Sequence, residues 1–329
     1  MTPTTGLLFG LGAALAWGLT DVSATIVSRR VGTLLTAAAM QVTAVVLIGG
    51  LFLLSGQSLP ADPFDFAQVV AVGALSAAGY LATYQAFRLG PISVVSPVMS
   101  AYGGLTVILA VIILGETLTA VQALGAVIAT LGVVLAGVVL DRDLRRTRLV
   151  SPGVVFALIA MLLWAWFTIL LAGPIRAAGW LPVIAVSRTV TGIVLWIIVA
   201  AALWFLWSRP PRPEPAVADG AEADGDQPTV PDQPTVSATV RDPASLRRAL
   251  RVRSTILLMV AMGVFDACGY VAFSIGLEGS MAWLVGLAGS FAPIITVFFG
   301  VAWLGERLRP TQWAGIGLVL AGVLVIGLR

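Results

Sequence analysis

The sequence predicts an all-α integral membrane protein of about ten transmembrane helices, arranged as two inverted five-helix repeats. Three observations lead there. The chain has 329 residues, of which 59% are hydrophobic and 11% charged, and its mean hydropathy is +1.00, whereas soluble domains carry about 25% charged residues. Its apolar runs are long enough to cross a hydrocarbon core, which takes about 20 residues in a helix, and they lack the alternation of a membrane-spanning strand. Finally, one stretch occurs twice: LGETLTAVQALG at 114–125 returns as LGERLRPTQWAG at 304–315.

The elements follow from the apolar runs. They fall roughly at 6–28, 33–54, 67–87, 92–114, 120–140, 153–172, 181–207, 254–277, 280–304 and 311–328. Helices satisfy every backbone polar group internally, which lipid demands. Pro91, Pro182 and Pro310 stand where a first helical turn would start, and Pro174 is expected just past the end of the sixth span. The one long polar stretch, about 208–253, is rich in Pro, Asp and Glu and repeats QPTV, so it reads as a disordered linker. Its last part, ASLRRALRVR, has the pattern of a short basic helix lying on a lipid surface. The domains are therefore a first repeat over 1–140 and a second over 141–329, interrupted by that linker.

The repeat extends beyond its glutamate. At the spacing that relates Glu116 to Glu306, Ser100 matches Ser290, Thr106 matches Thr296 and Gly132 matches Gly322. A second spacing pairs Gly6 with Gly153, Trp17 with Trp164 and Gln41 with Arg188; a third pairs Tyr84 with Tyr270 and Phe87 with Phe273. Each half then holds five spans. An odd number inverts the halves relative to each other, a construction that places a site at their interface.

Composition excludes several chemistries. All 19 basic residues are arginines, and histidine, lysine and asparagine are absent, so histidine catalysis and histidine metal ligation are ruled out. A single cysteine, Cys268, allows no internal disulfide and no thiolate metal cluster; it reads as a buried small hydrophobe. No metal and no cofactor is predicted. The pI of about 9.6 comes from arginines beside apolar runs and not from a basic soluble domain, so nucleic acid is not a predicted partner. A nucleotide-binding GxxxxGK[ST] loop is missing, which disfavours an ATP-driven pump.

The arginines also sort by side. Arg29, Arg30, Arg88, the run from Arg142 to Arg148, the linker arginines, Arg307 and Arg309 all fall in odd-numbered connections, whereas Arg176 and Arg329 fall on the other side. The positive-inside rule puts the odd connections and the linker in the cytoplasm and both termini outside.

Two five-helix repeats, an Ala-Trp-Gly or Leu-Trp-Ala segment in the first helix of each, and Leu-Gly-Glu at each junction of fourth and fifth helices resemble the EamA-type transporters of the drug/metabolite transporter superfamily. The likeness covers nearly the whole chain apart from the linker. It implies secondary transport of small organic solutes across the cell membrane by alternating access, through a cavity lined by the first four helices of each half. It also implies both termini in the cytoplasm, opposite to the arginine count.

Ionisable groups inside spans are expensive and are functional candidates. Asp21, Arg188 and Asp266 qualify. Asp21 shares a helix face with Trp17 four residues earlier, and Asp266, Tyr270 and Ser274 form a stripe whose repeat partners are Tyr80, Tyr84 and Arg88. Arg188 is expected either to bind a substrate carboxylate or to pair with Asp266 or Asp21. Asp21 and Asp266 are the carboxylates deep in spans, which favours proton coupling. Trp164, the partner of Trp17, is a second candidate wall residue. Ser96–Pro97 and Ala292–Pro293 predict local helix breaks that free carbonyls for a ligand. Glu116 and Glu306 read as carboxylates stabilised at helix starts. The glycine faces Gly125–Gly132 and Gly315–Gly322 predict a close helix contact, between the halves or between two copies in a homodimer through the fifth and tenth helices. Besides a small-molecule substrate and membrane lipid, two other readings stay open: a non-transporting assembly or scaffold subunit, and, less favoured, a membrane-embedded lipid-modifying enzyme.

Overall fold

The computed structural model describes residues 2–90, 92–137, 152–207, 253–292, 294–295 and 310–327. Among them the regular structure is helical throughout. The helices are α1 (Pro3–Val31), α2 (Thr33–Ser55), α3 (Pro63–Leu89), α4 (Ile92–Ser100), α5 (Tyr102–Leu114), α6 (Ala120–Gly137), α7 (Pro152–Ala178), α8 (Trp180–Trp207), α9 (Arg253–Gly279), α10 (Ala282–Gly289) and α11 (Pro310–Gly327). Six of them, α1, α2, α3, α7, α8 and α9, are long and apolar enough to cross a membrane by themselves. The predicted linker, its basic helix and Glu306 lie outside the described residues.

Helix ends extend past the apolar runs because caps, not hydropathy, set them. α3 starts at Pro63 since the Asp62 carboxylate accepts from the amides of Phe64 at 2.7 Å and Asp65 at 3.2 Å. One proline expectation is wrong. Pro174 lies inside α7 and does not follow its end. A proline there deprives the carbonyl four residues back of its amide partner, and the Gln68 side chain of α3 donates to that Leu170 carbonyl at 2.6 Å. A neighbouring helix thus replaces the lost bond, as membrane helices require.

The helix pairing is twofold in pattern. α1 packs along α9 and α3 along α7, so the first helix of each half lies against the third of the other; α2 meets α8, α5 meets α10 and α6 meets α11. The last pair uses the predicted glycine faces. A Cβ at Gly132 would come within 2.6 Å of the Val319 amide, and one at Gly322 within 2.6 Å of the Ala129 amide. These faces therefore join the two halves of one chain and are not free for a second copy. Cys268, expected to be buried, is exposed on the outer side of α9, because its neighbours Asp266, Ala267 and Tyr270 take the inward-facing positions.

Two faces result. The terminal face carries the start of α1 and the end of α11; the arginine-rich face carries Arg30, which ties α1 to α9 through Thr255 Oγ1 at 2.9 Å.

Candidate functional site

Between the halves lies a cavity of about 100 Å³ whose wall comes from α1, α3, α4, α5, α7, α9 and α10. Trp17, Asp21, Tyr80, Tyr84, Ser96, Trp164, Asp266 and Tyr270, all anticipated from the sequence, line it. Asp21 is ten residues from the end of α1, or about 15 Å along the helix, so the site sits well inside the membrane.

Its back wall is an ion pair. Asp266 accepts from Arg188 Nη2 at 2.8 Å on one carboxylate oxygen and from the Tyr80 hydroxyl at 2.5 Å on the other. Both charged side chains are 1% exposed. The Arg188 guanidinium also lies over the rings of Tyr270 at 4.0 Å and Tyr80 at 5.0 Å, where the ring faces attract a cation. This decides between the partners left open for Arg188: it pairs with Asp266, not Asp21. Unlike Asp266, Arg188 does not line the cavity, so direct contact with a substrate carboxylate is not what the geometry offers. Tyr80 and Asp266 are repeat equivalents, and they meet at the twofold.

Several buried polar atoms have no hydrogen-bond partner among the described residues, including both amide atoms of Gln41, Ser274 Oγ, and Nε and Nη1 of Arg188. Ser274 does not line the cavity; its neighbour Phe273 does.

The aromatic lining repeats with one telling difference. The Trp164 indole donates to Thr83 Oγ1 at 2.9 Å and packs on Tyr80 with ring centroids 5.0 Å apart. Its partner Trp17 packs edge-on to Tyr270 at 5.5 Å. The position equivalent to Thr83 is Gly269, where a Cβ would approach the Trp17 indole nitrogen to 2.6 Å. One tryptophan is hydrogen-bonded; the other is seated in a glycine notch.

The expected break at Ser96–Pro97 is displaced. α4 runs through both residues to Ser100, and the chain turns at Ala101 before α5. α10 likewise ends at Gly289, with Ser290 in the turn. Pro293 is outside the described residues. The interruptions thus fall at the repeat-related serines: Ser100 Oγ donates to the Ser96 carbonyl at 2.9 Å and Ser290 Oγ to the Leu287 carbonyl at 2.7 Å. Such hydroxyls compete with the backbone ladder, and both serines reach the cavity. The doubled Ser100–Ser290 match carried this signal. Tyr102 and Phe167, also wall residues, gave none in sequence.

On the terminal side of the cavity α10 is tightly packed. α10 is wedged against α1, where a Cβ at Gly10 would lie 2.9 Å from the Val285 carbonyl oxygen, and against α5 and α7, where one at Gly286 would lie 2.6 Å from Thr106 and 3.3 Å from Thr168. Glu116 fastens this arrangement. Its carboxylate accepts from the amides of Ala282 at 2.9 Å and Trp283 at 3.0 Å and pairs with Arg176 at 2.5 Å; Arg176 Nη2 also donates to the Ser280 carbonyl at 3.1 Å. Glu116 does stabilise a helix start, but that of α10 in the opposite half and not that of its own following helix.

An all-helical membrane protein with a cavity holding buried carboxylates between two repeat-related halves belongs to the class of fold on which secondary transporters are built. The model of the EamA-like transporter family matches residues 4–138 and 239–328, and this chain belongs to that family of membrane transporters. Among solved structures, 29 chains match; one, described as "Crystal structure of protein", has a TM-score of 0.68 at 17% identity, covering 98% of this chain and 96% of that one. That likeness shows the fold. A search of curated proteins found no match.

Proposed function

We propose that the chain is a secondary transporter that moves a small organic solute by alternating access through the cavity between its halves. The observation that carries this reading is the cavity itself: it lies at the inverted-repeat interface, is walled by equivalent helices of both halves and holds two carboxylates. The tight seating of α10, held at its start by Glu116, supports one of the two end states that alternating access needs. The other would form when one half rocks against the other, along the α6–α11 contact. Asp21 and Asp266 are the groups available for proton coupling.

The test is a thermal-shift screen of the purified protein against a metabolite library, since a ligand that binds the folded state alone raises apparent stability by mass action. Hits then enter flux measurements in proteoliposomes. A substrate flux that vanishes in Ser96→Trp, which fills the cavity, supports the reading. Flux unaffected by that filling, in a protein that still folds, would place the route elsewhere.

A further inference from the structure

We infer that the cavity recognises an organic cation: the ammonium group of its substrate sits against the Asp21 carboxylate within the aromatic wall. This rests on the transport reading only in so far as the ligand is called a substrate; recognition itself is a binding property.

The first support is charge. The charged side chains in the wall are Asp21 and Asp266. Asp266 is neutralised by Arg188 and tied to Tyr80. The ion pairs among the described residues are Arg176–Glu116 and Arg188–Asp266, and the Asp21 carboxylate has neither an ion pair nor a hydrogen bond there. With its carboxylates ionised, the cavity therefore carries one negative charge without a counter-charge. A carboxylate within a membrane span and without a counter-charge is costly, and a ligand that supplies a cation at that point recovers part of the cost.

The second support is the wall's chemistry. Trp17 stands one turn before Asp21 on the same helix face, and Tyr84, Tyr102, Trp164 and Tyr270 complete an aromatic enclosure. Aromatic faces attract cations, and aromatic cages are the usual receptors for quaternary ammonium groups. The same rings already hold a cation in this molecule: the Arg188 guanidinium lies over Tyr270 and Tyr80 from outside the cavity.

The third support is what the wall lacks. Among the described residues no arginine lines the cavity, and Arg188, which pairs with the wall residue Asp266, is 1% exposed. An anionic ligand would meet two carboxylates and no accessible cation.

The test uses four ligands of nearly one shape: choline (cationic), glycine betaine (zwitterionic), 3,3-dimethyl-1-butanol (neutral) and 3,3-dimethylbutanoate (anionic). Binding to the purified full chain in nanodiscs is measured by calorimetry, and flux of each in proteoliposomes is measured separately. Choline is expected to bind at least about tenfold more tightly than the neutral isostere, the size of effect that a desolvated cation–π contact and a carboxylate supply. The anion is expected not to bind. Asp21→Asn should abolish the preference and Asp21→Glu retain it. Should Asp21→Asn fail to fold, the four-ligand series on the unaltered protein still decides. Equal binding of the neutral isostere, binding of the anion, or binding of none of the four overturns the inference. Cation-selective binding without flux leaves the inference standing and counts against transport. Flux of the neutral or anionic ligand with no preference for the cation does the reverse.

Discussion

The most exacting prediction concerns the Asp266–Arg188 pair. Replacing Asp266 with Leu removes the oxygens that take the Arg188 bond at 2.8 Å and the Tyr80 bond at 2.5 Å, and leaves a guanidinium that is 1% exposed without an anion. Stranding one member of a buried pair costs about 3–5 kcal/mol. Arg188→Met strands Asp266 instead and should lose a similar amount. The double variant Asp266→Leu/Arg188→Met removes both charges, and the main remaining penalty is the unpaired Tyr80 hydroxyl, about 1–3 kcal/mol. It should therefore be more stable than either single variant, and far from additive. Equilibrium unfolding of the purified proteins in mixed micelles measures all four species. Single variants that lose less than about 1 kcal/mol, or a double variant that equals the sum of its parts, would refute the picture of a desolvated, mutually dependent pair.

Other outcomes follow from the same geometry. Gly132→Leu would push a side chain into the Val319 amide and the Gly315 carbonyl across the α6–α11 contact, and a loss of about 1–3 kcal/mol is expected from such overpacking, read by unfolding in detergent. Glu116→Gln weakens the Arg176 pair and the hold on the α10 amides; in a Cys268→Ser background, a cysteine at Phe9 should then label faster from the terminal face, and an unchanged rate would mean that Glu116 does not hold that face shut. Thr83→Val removes the acceptor of the Trp164 indole at 2.9 Å and should cost about 1 kcal/mol, whereas Gly269→Thr, its repeat equivalent, should cost more, because the Trp17 indole occupies that notch. Orientation is open to a direct measurement: the arginine count places the 208–253 linker in the cytoplasm, so a cysteine at Ser237 should resist an impermeant maleimide in intact cells. Labelling there would instead support the orientation implied by the family resemblance, with both termini inside.

The architecture was legible in the sequence because its causes are one-dimensional. Span length, apolar composition and the doubled LGE stretch depend on the order of residues alone, and five spans per repeat dictate inversion. The candidate wall was largely legible for the same reason: a charged residue deep in a span has to face protein, and the repeat paired Trp17 with Trp164 and Tyr84 with Tyr270, so Asp21, Asp266 and these aromatics could be named; Trp166, 42% exposed, shows that an aromatic ring alone would not have sufficed. Partners could not be. Arg188 and Asp266 are far apart in sequence, and whether the arginine meets a substrate or a carboxylate depends on how α8 and α9 are rotated against each other. The packing paired Arg188 with Asp266 outside the cavity lining and left Asp21 as the wall's unpaired charge. It also moved the first helix interruption from Ser96–Pro97 to the end of α4 at Ser100, where the side-chain hydroxyl takes a carbonyl from the ladder, as that of Ser290 does at the end of α10. Glu116 shows the division most plainly: its place at a helix junction was written in the repeat, but the helix it stabilises belongs to the other half, brought within hydrogen-bonding distance by tertiary packing.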